Sequence, residues 1–196
     1  MKLVSYKSLI QSGIVLVIML ILLAIYFFFF KNSENLVKIN EANIDNNIDN
    51  KILELKYNAV DVDGNSYIIE SNAGKVSDRE KNVLILEKVT GIIKIQDSED
   101  IIILSDFANY NKTTLDTYFY DNVRLKYDGH SIDSDELFMN YIDKNINIRN
   151  NVRYKGLNNK LYADIVEIDL VTKFSKIYML DNQKKVKVEL KQNGSN

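Results

Sequence analysis

The sequence predicts an all-β domain, an antiparallel jelly roll or sandwich of repeated hairpins, preceded by one N-terminal transmembrane helix. Three observations support this prediction. An uncharged run of 23 residues, Ser8–Phe30, lies near the N-terminus. After it, a unit of about 30 residues recurs, and apolar residues alternate with polar ones in short runs. We expect residues 1–30 to hold the cytoplasmic N-terminus and anchor, 31–51 a polar linker, 52–190 the β domain and 191–196 a polar tail.

The anchor is predicted from the apolar strength of the run. Fourteen of the seventeen residues from 14 to 30 are Ile, Leu, Val or Phe, and together they contribute about −6 kcal/mol to bilayer insertion. The run ends in aromatic residues and Lys31 without a small-x-small site, so a retained anchor is favoured over a cleaved signal peptide. Lys2 and Lys7 precede it, which by the positive-inside rule leaves the N-terminus in the cytoplasm and the domain outside.

Composition excludes several classes of function. Removing Lys2 and Lys7 leaves 23 basic and 27 acidic residues, a net charge of −4, and the whole chain has only four arginines. Nucleic acid is therefore not an expected partner, because phosphate binding needs clustered basic residues. The chain has no cysteine, which excludes disulfides, thiolate metal sites and a lipid-modified cysteine.

Two kinds of landmark define the repeat. The first is a small residue followed by Asp or Asn, with spacings of 34, 29 and 29 residues, and the second follows it after sixteen to eighteen residues. Such a unit indicates hairpins repeated along a stack, with the aspartates at strand starts in a structural role. The first landmarks are Ser71-Asn72, Ser105-Asp106, Ser134-Asp135 and Ala163-Asp164, and the second are Glu87-Lys88-Val89, Asp121-Asn122-Val123 and Asn150-Asn151-Val152.

Period-two alternation predicts which side chains face inward. Polar residues such as Arg124, Arg149, Asn151, Arg153 and Glu167 take the water-facing parity. The apolar parity either fills a core or lines a groove for a lipid chain, because both tasks need the same surface. The candidate groove residues are Ile69, Ile103, Ala108, Tyr110, Phe119, Val123, Leu125, Leu137, Met139, Ile148, Val152, Val166 and Ile168.

Other chemistries fit the sequence poorly. The segment from Asp61 to Asn65 resembles a calcium loop, but its glycine falls at the fourth position, so a plain β-turn is favoured. His130 is the only histidine and is expected to be a solvated turn residue. The carboxylates of Asp133, Asp135 and Glu136 are expected to be structural, and no phosphate loop, nucleophile elbow or triad is present. We expect neither an enzyme activity nor a cofactor or metal.

The chain resembles the LptC family of lipopolysaccharide export proteins. The resemblance rests on the uncleaved anchor, the polar spacer and four runs in order along the chain, namely Tyr57–Tyr67, Ile103–Tyr110, Tyr120–Leu125 and Leu161–Asp164. It implies a single-pass inner-membrane protein whose periplasmic jelly roll takes lipopolysaccharide from an ABC transporter and passes it to a soluble periplasmic bridge protein of like fold.

The resemblance also implies which sheet edges meet partners. The N-terminal edge, residues 53–60, would meet the transporter, and the C-terminal edge, residues 177–188, would meet the bridge protein. The edge residues expected to pair with the bridge are Ile177, Tyr178, Met179, Val186 and Val188. Two other hypotheses remain, an anchored envelope scaffold that binds a protein through its sheet edges without lipid, and an anchored hydrolase whose site is not recognised.

Overall fold

Every strand of the predicted β domain belongs to one antiparallel sheet. The computed structural model describes Met19 and residues 51–190; the rest of the predicted anchor, most of the linker and the tail lie outside the described residues. Within 51–190 the strands are β1 (Lys51–Val60), β2 (Ser66–Val76), β3 (Val83–Lys94), β4 (Ile101–Asn111), β5 (Thr117–Tyr127), β6 (His130–Asn140), β7 (Asn145–Lys155), β8 (Asn159–Asp169), β9 (Ser175–Tyr178) and β10 (Lys187–Leu190). In this described part, no helix has the length and apolar character needed to cross a membrane.

The strands follow one another in chain order from β1 to β8, and each pairs antiparallel with the next. Strands β9 and β10 both pair with β8, β9 with its C-terminal half and β10 with its N-terminal half. The predicted all-β antiparallel fold of successive hairpins is confirmed. The sheet is continuous, however, so the two facing layers expected of a sandwich are two halves of one folded sheet.

Short turns that contain glycine close two of the hairpins. Asp63-Gly64-Asn65 joins β1 to β2 and Asp128-Gly129 joins β5 to β6, and both glycines have positive φ, which a residue without Cβ adopts at little cost. Along the strands, buried and exposed residues alternate as the sequence indicates; in β4 the inward positions run from Ile101 to Tyr110. The inward side chains of all eight long strands form one apolar core.

The repeat landmarks form a line of corners across the middle of the sheet. Each odd-numbered long strand carries residues with positive φ at its midpoint, and β5 and β7 each carry an extra residue there, where the pairing register shifts. Bulges of this kind bend a strand and increase its twist. The residues with positive φ at the corners are Glu54, Lys88, Asp121, Asn122, Asn150 and Asn151.

Aspartates of the even-numbered strands tie the corners together. Asp106 accepts hydrogen bonds from Lys88 Nζ at 2.6 Å and from Asn122 Nδ2 at 2.5 Å, so it joins β3, β4 and β5. These contacts, first with Lys88 and then with Asn122, lower the pKa of Asp106. Asp135 accepts from Asn151 Nδ2 at 2.5 Å. Both Asn partners lie 16 residues after their aspartate, the spacing seen in the sequence repeat.

The predicted structural role of these aspartates agrees with the contacts, but the predicted position at strand starts is wrong. Asp106, Asp135 and Asp164 lie near the middle of β4, β6 and β8. Asp164 repeats the pattern at the end of the sheet, where it accepts from the backbone N–H of Leu180 at 3.0 Å. At Asp106 and Asp135 the carboxylate accepts from the side chain of an Asn with positive φ on the next strand, so it joins its own strand to that corner.

A lysine joins the β1–β2 turn to the β6–β7 turn. Lys144 Nζ lies 3.0 Å from Asp61 Oδ2 and 2.5 Å from Asp63 Oδ2, and the side chains of Lys144 and Asp61 are largely buried. Asp61 also accepts from the backbone N–H of Asn65 at 2.9 Å, which builds the plain turn predicted for this segment. The ammonium group thus occupies the carboxylate cluster that the sequence presents as a calcium-like loop.

The corner geometry predicts the cost of substitution at Asn151. Changing Asn151 to Val places a β-branched residue at positive φ and removes the bond to Asp135, so the free energy of unfolding should fall by about 2–3 kcal/mol. Asn151→Gly keeps the backbone conformation and should cost about 1 kcal/mol or less. Urea unfolding of the detergent-solubilised chain, followed by tyrosine near-UV circular dichroism, measures both. The control Arg153→Val, at an ordinary outward position of β7, should change the free energy of unfolding by less than about 0.5 kcal/mol. Equal losses at Asn151 and Arg153 would contradict the structural role of the corner.

The lysine contact predicts a pH window of stability. Burial acts to raise the pKa of Asp61, but hydrogen bonds from Asn65 and Lys144 outweigh it and the pKa lies below 3.8. The contribution of Asp61 is therefore present above pH 3.8 and is lost as the pH falls through the lowered value. Lys144→Met should lower the free energy of unfolding by about 1–3 kcal/mol at pH 7. Below the lowered pKa of Asp61, the difference in this free energy between the variant and the unmodified chain should shrink. The exposed-loop control Lys112→Met should have no such pH-dependent effect.

Candidate functional site

The structure places all thirteen candidate groove residues on the inner side of the folded sheet. Twelve are buried, and Ile168 packs partly buried against the same core. The predicted outward residues Arg124, Arg149, Asn151 and Arg153 are exposed, and Glu167 lies half-buried on the outer face. The alternation in the sequence thus separates the two faces correctly across the corners.

The middle of the interior is filled by side chains. Phe119, Leu137, Ile146 and Ile148 have no exposed surface. On β3, a Cβ added to Gly91 would lie 2.9 Å from Phe119 Cζ, so the glycine makes room for that ring. Most of the candidate groove residues therefore act as packed core in this conformation.

An apolar cavity of about 290 Å³ lies at one end of the interior. It is bounded on one side by the ends of β3 to β7 and on the other by the end of β8 and the β8–β9 loop. Its volume is close to the lower limit of about 300 Å³ for ligand pockets. The apolar lining consists of Ile95, Ile101, Leu125, Tyr127, Ile132, Tyr154, Ile168 and Leu170.

The sequence prediction found two members of this lining, Leu125 and Ile168. Ile101 and Ile132 were missed, although each lies two residues before a buried residue of its strand, Ile103 and Ser134, and so shares the inward parity. The parity signal was therefore available. No sequence signal shows that the β8–β9 loop faces the ends of β3 to β7 across the cavity, because that arrangement depends on how the sheet folds.

Polar groups line the rim of the cavity. His130 Nδ1 lies 2.8 Å from the Tyr154 hydroxyl, and the two rings stack at 5.7 Å between centroids. Ser98 Oγ lies 3.0 Å from the Tyr127 hydroxyl, and Lys173 stands on the β8–β9 side. The predicted solvated-turn role of His130 needs correction: the residue begins β6, half-buried, because its ring packs on Tyr154.

Carboxylates on the outer face have partners of their own. Asp133 bonds Arg124 Nε at 2.5 Å, and Glu136 hydrogen-bonds Tyr118, whose pKa is raised first by burial and then by this bond. Across residues 51–190, no group of three or more His, Cys, Asp or Glu side chains is arranged to hold a metal ion.

The two edges of the described sheet differ. β1 is a ten-residue edge that pairs only with β2 among the described strands, and its Leu53 and Val60 are exposed. At the other edge, β9 and β10 are four-residue strands separated by a loop, so the predicted partner-binding residues do not form one continuous strand. Three of those residues lie in the short strands, Ile177 and Tyr178 in β9 and Val188 in β10, whereas Met179 and Val186 lie between them and pack partly against the core.

Comparison with known proteins gives one family. The model of the lipopolysaccharide-assembly, LptC-related family matches residues 16–178. Among solved structures, the crystal structure of LptH from Pseudomonas aeruginosa, described as the LptA-homologous periplasmic component of the conserved lipopolysaccharide transport device, is similar with 6% sequence identity and a TM-score of 0.47; the match covers 64% of this chain and 94% of that one. No curated protein matches. Because the family model spans most of the chain, including every strand from β1 to β9, the chain belongs to the LptC-related family of lipopolysaccharide-assembly proteins.

Proposed function

We propose that this protein is a membrane-anchored periplasmic lipid-transfer component. It receives lipopolysaccharide from an inner-membrane ABC transporter, holds the acyl chains inside the folded sheet and passes them to a soluble β-bridge protein. The observation that carries the proposal is the apolar cavity between the ends of β3–β7 and the β8–β9 loop, in a member of a lipopolysaccharide-assembly family.

The cavity suits a hydrocarbon chain because its walls are aliphatic and aromatic and its polar groups stand at the rim. Each CH₂ that enters gains about 0.8 kcal/mol. Lys173 and His130 are polar members of the lining, and in this proposal they contact the headgroup of the bound lipid. At about 290 Å³ the cavity has room for part of one chain, so deeper entry requires the two halves of the sheet to separate around Phe119.

The sheet edges supply the proposed contacts with like-folded partners. Strand addition joins two sheets through free backbone groups, and its specificity comes from side chains along the edge. The continuous β1 edge is proposed to meet the transporter. The C-terminal edge carries Lys184, Lys185 and Lys187, which discourage indiscriminate pairing, and it is proposed to meet the bridge protein.

A lipid-free scaffold is the second candidate. The observation that favours it is the filled middle of the interior, where the candidate groove side chains have almost no exposed surface. In that case the protein would bind its partners only through the sheet edges, and the cavity would be a packing defect at the end of the core.

Crosslinking separates these two functions. Photo-crosslinkers at Leu125 and Ile168, beside the cavity, should capture lipopolysaccharide in cells, whereas those at Arg124 and Arg153 on the outer face should not, because adjacent residues of a strand face opposite sides. Probes at Phe119, in the filled middle, should label only if the sheet opens during transfer. Mass spectrometry of the crosslinked adducts gives the readout; equal labelling on both faces would mean surface adhesion, and none in a folded domain would favour the scaffold.

A charge inside the roll should block transfer. Val152→Arg places an arginine among buried side chains, at a cost of several kcal/mol if it stays inside, and lipopolysaccharide crosslinked at Leu125 should fall strongly. Arg153→Val, the neighbouring outward position, is the matched control and should label normally. Unchanged capture by a folded Val152→Arg chain would exclude passage through the interior.

Truncation tests the C-terminal edge. Removing residues 177–196 takes away half of the β9 pairing and all of β10, and should abolish capture of the soluble bridge protein in a pull-down from the detergent-solubilised chain. Removing only residues 191–196 is the control and should leave capture unchanged. Bridge capture that survives the longer truncation would place the contact elsewhere.

A further inference from the structure

A groove with aromatic walls crosses the outer face of the sheet near the β8–β9 hairpin. We call it the outer groove. It consists of two adjoining depressions of about 400 and 340 Å³ that share Asn145 and Asn147 of β7 as their floor. Tyr118 and Phe138 flank one depression, and Phe174 flanks the other. Outer faces of soluble sheets are usually polar, so exposed rings gathered around one groove indicate a ligand.

The register builds this groove as one row across five strands. Tyr118 of β5 lies opposite Phe138 of β6, Phe138 opposite Asn147 of β7, Asn147 opposite Glu167 of β8, and Glu167 opposite Lys176 of β9. Directly opposed side chains lie about 4.5–5.5 Å apart at Cβ. The rings and the planar polar groups therefore form a continuous surface.

The groove carries charges of both signs. Glu136, Glu167 and Asp169 contribute three negative charges, and Arg149 and Lys176 contribute two positive ones. Several are already engaged with neighbours: Arg149 Nε donates to Asn147 Oδ1 at 2.7 Å, and Glu167 accepts from the Tyr178 hydroxyl at 2.7 Å. A groove with one excess negative charge does not attract an anionic surface such as a membrane rich in acidic lipids.

Ring faces next to amide groups match the chemistry of a saccharide. A sugar ring presents an apolar C–H face that stacks on Tyr or Phe, and its hydroxyls both donate and accept. The amides of Asn145 and Asn147 offer donors and an acceptor each, and carboxylate and guanidinium groups add further partners. A protein-binding hot spot would be expected to carry more aliphatic or desolvated apolar surface at its centre than this polar floor provides.

The outer groove and the interior cavity meet at the β8–β9 hairpin. Ile168 and Asp169 line both spaces, the cavity on the inner side and the groove on the outer side. The hairpin is tightly built, since Asp169 Oδ1 accepts from the backbone N–H groups of Val171 and Thr172 at 2.9 and 2.8 Å. A glycolipid with a chain in the cavity can therefore fold its sugars over this hairpin onto the outer face.

We propose that the outer groove binds the saccharide portion of the glycolipid cargo. This inference rests on the proposed transfer function for the identity of the cargo. Tyr118, Phe138 and Phe174 stack the sugar rings, and Asn145 and Asn147 bond their hydroxyls. The protein then holds its cargo at two places, the acyl end inside and the sugar end outside.

Calorimetry with a lipid-free sugar tests the groove. The probe is the core oligosaccharide released from lipopolysaccharide by mild acid, titrated into the full chain in a zwitterionic detergent without a sugar headgroup. The chain should bind the probe, and Phe138→Ala and Asn147→Ala should each weaken binding about tenfold because stacking and amide bonds are lost. Phe107→Ala is the matched control: its ring is 37% exposed, as is that of Phe138, but it lies outside the groove. It should change affinity by less than twofold.

Each outcome is decisive. Absence of binding by the unmodified chain, or an equal loss in Phe107→Ala, would overturn the proposal. So would a Phe138→Ala chain that binds sugar normally but no longer captures the bridge protein, because the groove would then be a protein interface. Crosslinking from Leu125 in the Phe138→Ala background reports the acyl site separately. If Leu125 fails to capture lipid while the sugar still binds in the groove, the transfer route fails and the saccharide site stands.

Discussion

The corners at the strand midpoints are the constraint on which the rest of the structure depends. A ten-strand meander without corners would expose one whole apolar face, because sequential hairpins alone do not bring two layers together. Residues with positive φ in β1, β3, β5 and β7 bend the sheet along one line. Along that line Asp106 bonds Asn122 and Asp135 bonds Asn151, so each aspartate holds the corner of the next strand. The two halves of the inner face then pack against each other. This packing forms the core and the cavity, and it leaves the first and last strands as the edges of the sheet.

The folded sheet divides its interior unequally. In the middle, close packing around Phe119 and Gly91 leaves no space, as expected for a core at crystal-like density. At the end near the β8–β9 hairpin, the facing layers are bounded by a loop on one side, and an apolar cavity remains. The middle is therefore closely packed, and unfilled space remains at this end of the interior. This division makes local opening at the cavity end easier than separation of the whole core.

The two faces of the sheet carry different chemistry because each strand alternates. Leu125 and Ile168 present apolar surface to the cavity, while their neighbours Arg124 and Glu167 face outward. The β8–β9 hairpin is where both faces are within reach of one ligand. The proposed cargo, a glycolipid, has an apolar and a polar part, and the proposal assigns the first to the inner cavity and the second to the outer groove. The Lys144 contact with Asp61 joins two turns that are far apart in the chain.

Sequence by itself determined the β class, the hairpin succession, the inward parity of all thirteen candidate groove residues and the structural role of Asp106 and Asp135. These features are local: period-two alternation and turn residues act through neighbours on the same strand or hairpin. The predicted anchor lies almost wholly outside the described residues and stays a prediction. Tertiary structure alone decided that the landmarks are mid-strand corners, that the middle of the interior is filled, and that Ile101 and Ile132 face Leu170 across a cavity. Those facts depend on contacts between residues far apart in the chain, and a pattern along one strand carries no information about which distant side chain will fill the space opposite.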